Sequence, residues 1–426
     1  METIYRKRIA DALLHDLLES SGVVLIQGPK WCGKTTTAEQ AAASVVYMND
    51  PESEEELLFL ANNSPKRLLA GKTPRLIDEW QLAPKLWDAA RFEVDHRASI
   101  VGQFIFTGSA VPADTKNIHH SGTGRFSWLT MRPMSLWESG ESSGEISLKA
   151  LFKGEVPEGS SHKMTVDELT FITCRGGWPA ALSMTPKAAL KQAYNYVDAV
   201  AKSDISRVDG VKRDAAFAFR LLRSFARHQG AQVPSSSFLA DMMTNDGGSL
   251  SQNTIESYLQ ALKKIFVIED MPAWNPNLRS KSAIRTSDTR YFTDPSIATA
   301  ALGLGPDDLL KDLRTFGLLF EVMAIRDLRV YTEALGGQVF HFRDRNGLEC
   351  DAVIHLRNGH YGLIEIKLGG EKLINEGSKT LLSLASKIDL SQMPAPSFCM
   401  VLTGIGQYAY QREDGIMVVP IGCLKD

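Results

Sequence analysis

The segment "SGVVLIQGPKWCGKTTTAEQAAA", residues 21–43, restricts the fold of this chain more than any other stretch. Val23 to Gln27 is a short apolar run bounded by turn residues, the pattern of a strand buried in a parallel sheet. Gly28 through Thr35 then reads G-x-x-x-x-G-K-[ST], and a helix-compatible run follows. Glycines at 28 and 33 let the backbone curl until successive N–H groups and a helix N-terminus face one point, which suits phosphate oxygens. Pro29, Lys30, Trp31 and Cys32 form the body of the loop, and Thr36 lies at its exit. Lys34 would reach the β- and γ-phosphates, and the Thr35 hydroxyl would hold Mg²⁺. The expected fold is therefore α/β, opening with a P-loop NTPase parallel sheet, with ATP and Mg²⁺ as its ligands.

Two further strands complete that expectation. In "TPRLIDEWQ" the apolar pair Leu76–Ile77 precedes Asp78 and Glu79. Asp78 would bind Mg²⁺ through its outer shell, while Glu79 would orient or deprotonate the attacking water. "QFIFTGSA" ends in Thr107, Gly108 and Ser109, where a polar side chain such as Ser109 can meet the γ-phosphate. Downstream, "SGTGRFSWLTMRPMSLWE" carries Arg125 and Arg132, of which Arg125 is the candidate to stabilise transition-state charge, in cis or across a subunit interface.

A chain of 426 residues exceeds one ordinary core. The net charge of -3 announces no global basic field, so any nucleic-acid contact must come from a local patch. Apolar stretches are shorter than a membrane span needs. The first twenty residues read as an amphipathic helix and not a signal peptide. Cys32, Cys174, Cys350, Cys399 and Cys423 are far apart and contain no C-x-x-C pair, which argues against a disulfide framework or zinc knuckle. The cytoplasm is the expected location.

The expected domains are a P-loop ATPase domain over 1–140, a linker and helical region over 141–230, a winged-helix-like module over 231–305 and a restriction-endonuclease-like α/β domain over 306–426. Residues 138–163, rich in Gly, Ser and Glu, read as a linker or an exposed excursion. The winged-helix expectation rests on helical spacing of Ile255, Tyr258, Leu259, Leu262 and Phe266, capped at Asn253, followed by the strand "FVIEDM". From residue 310 the order reads helix, three strands, helix, two strands. The hairpin "ECDAVIHLRNGHYGLIEIKLGG" holds Asp351, Glu365 and Lys367. A turn of odd length puts all three on one face and leaves Cys350, Ala352, Ile354, Ile364 and Ile366 on the other. Two converging carboxylates, Asp351 and Glu365, would hold Mg²⁺, with Lys367 polarising water. Glu321 is available on the preceding helix. The bland reading of the same face is a solvated ion pair.

The motifs "GPKWCGKTT", "RLIDEWQ", "FIFTGSA", "GRFSWLTMRPMSLWE", "GGWP", "RYFTDP" and "ECDAVI…IEIKLG" occur in order along essentially the whole chain. In this combination the chain resembles prokaryotic AAA-type ATPases that carry a C-terminal domain of unknown function. The resemblance implies the ATPase roles for Lys34, Thr35, Asp78 and Glu79, the nuclease-type roles for Asp351, Glu365 and Lys367, and a homo-oligomer. The basic element such proteins carry before "YF.D" is altered here to "RSKSAIRTSDTR". DNA or RNA, a protein partner and no membrane complete the expected partners. The competing reading is a nucleotide-gated scaffold that recruits a protein and has a cleavage-inactive C-terminal domain.

Overall fold

The first β-strand, β1 (Val23–Gln27), occupies the interior position its apolar run demands. With β2 (Ser44–Tyr47), β3 (Arg75–Asp78), β4 (Phe104–Gly108) and β5 (Phe126–Thr130) it forms a five-stranded sheet ordered β2-β3-β4-β1-β5. Every pairing in it is parallel. Alternation along the strands feeds two cores. Val24, Ile26, Leu76, Ile105 and Leu129 meet α1 (Ile9–Ser20) and α2 (Lys34–Ala41) on one face. Val23, Leu25, Ile77, Phe104 and Phe106 meet α3 (Lys85–His96) on the other. This computed structural model describes residues 5–97, 99–108, 122–160, 164–243, 251–279, 281 and 284–426. No helix among them is long and apolar enough to cross a membrane.

The chain divides into two compact units. One comprises residues 1–133, 200–214 and 258–267; the other comprises 134–199, 215–257 and 268–426. Residues 138–160 are anchored to the second unit. β6 (Ile146–Ser147) pairs in parallel with β16 (Leu424–Lys425), and Ser142 Oγ donates to the Leu424 carbonyl at 2.8 Å. Leu148 and Leu151 are buried. Polar composition there reflects turns around a few anchoring side chains, not solvent exposure of the whole segment.

In the second unit a seven-stranded sheet is ordered β10-β11-β12-β13-β15-β14-β7. Its members are β7 (Gly159–Ser160), β10 (Gly337–Arg343), β11 (Glu349–Leu356), β12 (Tyr361–Lys367), β13 (Phe398–Thr403), β14 (Tyr408–Gln411) and β15 (Met417–Pro420). The middle of the chain supplies α4 (Ala215–Ala226), α5 (Ser235–Met243), α6 (Gln252–Lys264) and an antiparallel ribbon of β8 (Ile268–Met271) with β9 (Thr289–Phe292). Helix α6 begins one residue before the expected cap. Ser251 Oγ accepts from the Thr254 N–H at 3.2 Å, while Glu256 accepts from Ser235 Oγ at 2.6 Å. Two long helices then flank the sheet: α7 (Leu313–Ala334) and α8 (Glu371–Lys387).

Candidate functional site

The five parallel strands of the first sheet end together, so their C-terminal edge gathers the P-loop, Asp78 and Thr107. At Gly28 φ is 153°, and a Cβ there would lie 2.0 Å from the Met131 carbonyl oxygen. No side chain fits where β1 enters the loop. Gly33 follows at φ 98° and delivers Lys34 as the first residue of α2. Lys34 is buried, and its Nζ donates to the carbonyls of Gly28 at 3.0 Å and Pro29 at 2.8 Å. Its charge thus sits inside the curl of the loop.

Asp78 opposes Thr107 in the β3–β4 register. Thr35 Oγ1 donates to Asp78 Oδ1 at 2.8 Å, and Thr107 Oγ1 donates to the same oxygen. One carboxylate therefore joins the P-loop helix to the ends of two strands. Glu79 leaves the strand at φ 55°, accepts a hydrogen bond from Gln81 Nε2, and has its pKa raised by burial against the opposing pull of that bond.

Several loop partners carried no sequence signal. The buried Arg8 guanidinium donates to the carbonyls of Cys32 and Arg132, each at 2.9 Å, tying the loop to the end of β5. Lys30 pairs with Asp204 at 2.6 Å. Trp31, at φ 67°, remains exposed. Cys32 is buried. Thr36 lies in the first turn of α2.

Arg125 lies apart from the loop. It precedes β5, and its carbonyl accepts from Val23 N–H at the start of β1, the end of the sheet opposite the P-loop. Its guanidinium is engaged with Asp95 at 2.7 Å. Five residues of extended strand separate it from the phosphate-binding edge, roughly 16 Å. It cannot act in cis. Arg132 lies beyond the C-terminal end of β5, beside the loop. Ser109 lies outside the described residues.

The second candidate site is set by strand register. Ala352 opposes Ile364, and Val353 opposes Leu363. Leu356 N–H donates to His360 O at 2.8 Å, so residues 357–359 form the turn. That odd length puts Asp351, Glu365 and Lys367 on one side. Lys367 Nζ lies 2.6 Å from Glu365 Oε2 and 3.0 Å from Asp351 Oδ2. Ile366 N–H also donates to Asp351 Oδ2, at 2.7 Å.

This face is not the solvated one. Glu365's side chain is only 5% exposed. Helix α8 covers it, and a Cβ on Gly377 would lie 3.2 Å from Glu365 Cβ. Burial, then the Asp351 charge, push Glu365 up to about 8 against the pull of Lys367. Burial works against the Lys367 charge, but the two carboxylates outweigh it and hold its pKa above the ordinary range.

Glu321, from α7, accepts from Tyr291 Oη at 2.7 Å and is likewise raised to about 8 by burial and by Asp351. Tyr291, Glu321 and Asp351 share the lining of a cavity of about 30 Å³ with Gly230 and Arg343. Tyr291 comes from "RYFTDP", a motif whose spacing gives no hint of this contact.

Among the described residues, no three His, Cys, Asp or Glu side chains converge as a metal cage. The P-loop site instead offers a hydroxyl and an outer carboxylate, and the hairpin offers two carboxylates around an ammonium. Mg²⁺ ordinarily takes one or two carboxylates and fills its remaining positions with water and phosphate. Both donor sets meet that requirement in number.

Residues 20–139 match the family described as AAA domain, and residues 316–424 match "Domain of unknown function (DUF4143)". Residues 166–308 match a further domain of unknown function, DUF8612. An uncharacterised protein of Mycobacterium tuberculosis and one of Mycobacterium bovis are each 24% identical over 98% of this chain and 84% of their own. Among solved structures, a Walker-type ATPase of Pyrococcus abyssi is 14% identical, with a TM-score of 0.43 over 70% of this chain and 96% of that one. The Aeropyrum pernix Orc1 protein, solved in complex with DNA, is 10% identical, with a TM-score of 0.26 over 73% and 95%.

Proposed function

We propose that this chain, an AAA-type P-loop protein ending in a domain of unknown function, binds ATP with Mg²⁺ and hydrolyses it, while its C-terminal α/β domain engages nucleic acid. The observation that carries the ATPase reading is the shared oxygen of Asp78, which receives both Thr35 and Thr107 hydroxyls beside the buried Lys34. Lys34 exchanges its two carbonyl partners for β- and γ-phosphate oxygens. Thr35, with Asp78 through its outer shell, would hold the metal, which would supply neutralisation of the phosphate charge. Glu79 accepts the proton of the attacking water, and its raised pKa brings it closer to the working pH of a general base. Phosphate release from ATP, with and without DNA, tests this reading. Wild-type turnover lost in Lys34→Ala supports it, and equal, negligible release by both proteins sinks it.

For the C-terminal domain, the buried Glu365 with the half-buried Asp351 and Lys367 beside it favours a Mg²⁺-dependent nuclease-like centre over a surface ion pair. Mn²⁺- or Mg²⁺-dependent cleavage of single-stranded DNA, duplex DNA and RNA by wild type, lost in Asp351→Asn, is the expected result. A second reading has its own support. The Lys367 ammonium is already paired with both carboxylates, and the adjoining cavity is small. On that reading the domain binds without cleaving, and the protein is a nucleotide-gated scaffold for a protein partner. Assembly into a homo-oligomer, which AAA-type proteins favour, is part of the proposal and is read by sizing with ATP.

A further inference from the structure

Gln81 stands two residues beyond Glu79 and has no part in the chemistry above. Residues 80–82 form a single 3-10 turn. Together with the positive φ of Glu79, this turn brings the Gln81 side chain back onto the Glu79 carboxylate, where Nε2 donates to Oε2. The opposite orientation of the carboxamide would set oxygen against oxygen, so the nitrogen is the atom that faces Glu79. Oε1 therefore points away. It is buried and has no hydrogen-bond partner among the described residues. A buried acceptor without a partner is costly, which marks it as a place for water or ligand.

The position of that oxygen is informative. A Cβ on Gly108 would lie 2.5 Å from Gln81 Oε1 and 3.3 Å from Trp80 Nε1. Gly108 directly follows Thr107, which donates to Asp78. The unpartnered oxygen thus lies at the edge where the γ-phosphate chemistry is proposed, next to the proposed base.

We propose that Gln81 is a further catalytic residue of ATP hydrolysis: its free carbonyl oxygen accepts one O–H of the attacking water while Glu79 accepts the other. The water oxygen then forms its bond to the γ-phosphorus. The bond from that phosphorus to the β–γ bridging oxygen breaks, with its electron pair leaving on ADP. Glu79 takes the proton on its side of the water, and Gln81 keeps its hydrogen bond to the nascent phosphate. The same carboxamide holds the Glu79 carboxylate through Nε2. Glycine at 108 leaves the room this side chain needs, so Gly108→Ala disturbs Gln81 without replacing it. The inference rests on the ATPase reading above.

The test measures kcat, KM and the Kd for a fluorescent ATP analogue across pH, for Gln81→Ala, Gly108→Ala, Glu79→Gln and the Glu79→Gln/Gln81→Ala double variant. Thermal melts confirm that each remains folded. Gln81→Ala is expected to lower kcat on the order of tenfold or more with little change in Kd. Gly108→Ala should reproduce this loss, and the double variant should be no slower than Glu79→Gln. Full kcat in Gln81→Ala, or a loss confined to Kd, overturns the role of Gln81 and leaves the ATPase reading intact. Absence of turnover in wild type and Lys34→Ala alike overturns both.

Discussion

Each candidate site places a lysine between two oxygen partners, but the partners differ. Lys34 rests on two neutral backbone carbonyls, so its full charge is available to an incoming anion. Lys367 rests on two carboxylates and leaves the trio with a net negative charge whenever both are ionised. Coulomb's law makes the first arrangement a receptor for polyphosphate as it stands. The second repels phosphate until a divalent cation joins it or a carboxylate keeps its proton. Burial of Glu365 pushes toward the latter.

The largest expected effect is at the first lysine. Lys34→Ala should weaken ATP binding or turnover on the order of 10²-fold or more, measured by analogue fluorescence and phosphate release. Retained turnover would erase the contrast between the two lysines. At the second, Asp351→Asn should abolish Mn²⁺ binding in calorimetric titration. It should also cost about 1–3 kcal/mol of unfolding stability, because Lys367 and the Ile366 N–H lose a charged partner. Metal binding equal to wild type would remove Asp351 from the site.

A third prediction separates charge from shape. Glu321 is raised to about 8 in the fold from an ordinary 4.5, so the native state keeps a proton that the unfolded chain releases. Native protons then exceed unfolded ones between these values, and stability must fall as pH rises through that window. Glu321→Gln keeps an acceptor for Tyr291 but cannot ionise. It should match wild type near pH 4 and exceed it by about 1–2 kcal/mol at pH 9. Parallel stability–pH curves would place Glu321 in water.

The smallest effect belongs to Arg125→Ala. Turnover of the dilute protein should be unchanged, against the ~10³-fold or greater loss that removal of an arginine finger causes. A loss that appears only at assembling concentrations would return Arg125 as a trans residue.

The P-loop was legible because its chemistry is contiguous. Glycine spacing, the apolar strand before it and the helix after it all lie within residues 21–43, and the aspartate partner ends its own apolar run. The hairpin register was legible too, since a one-residue slip exchanges entire faces and only an odd turn leaves one face apolar. What covers a face was not. Period-2 alternation says which side chains share a side, but not that α8 buries Glu365 there.

The position of Arg125 was not legible because its distance from the P-loop in sequence says little. In a parallel sheet, a residue before a strand and a residue after one lie at opposite ends. The anchoring of residues 138–160 was not legible for a related reason. Ile146 finds its partner in Leu424, near the far end of the chain, and composition carries no record of such a pairing.

The amino-acid sequence by itself determined the phosphate-binding loop, the strand pattern and the turn parity, because each depends on neighbours a few residues apart. Tertiary structure alone decided that Glu365 is buried, that Tyr291 reaches Glu321, and that Gln81 folds back on Glu79 beneath Gly108. Those outcomes depend on which distant segment fills the space beside a side chain, a choice made by packing the whole unit and not by any local period.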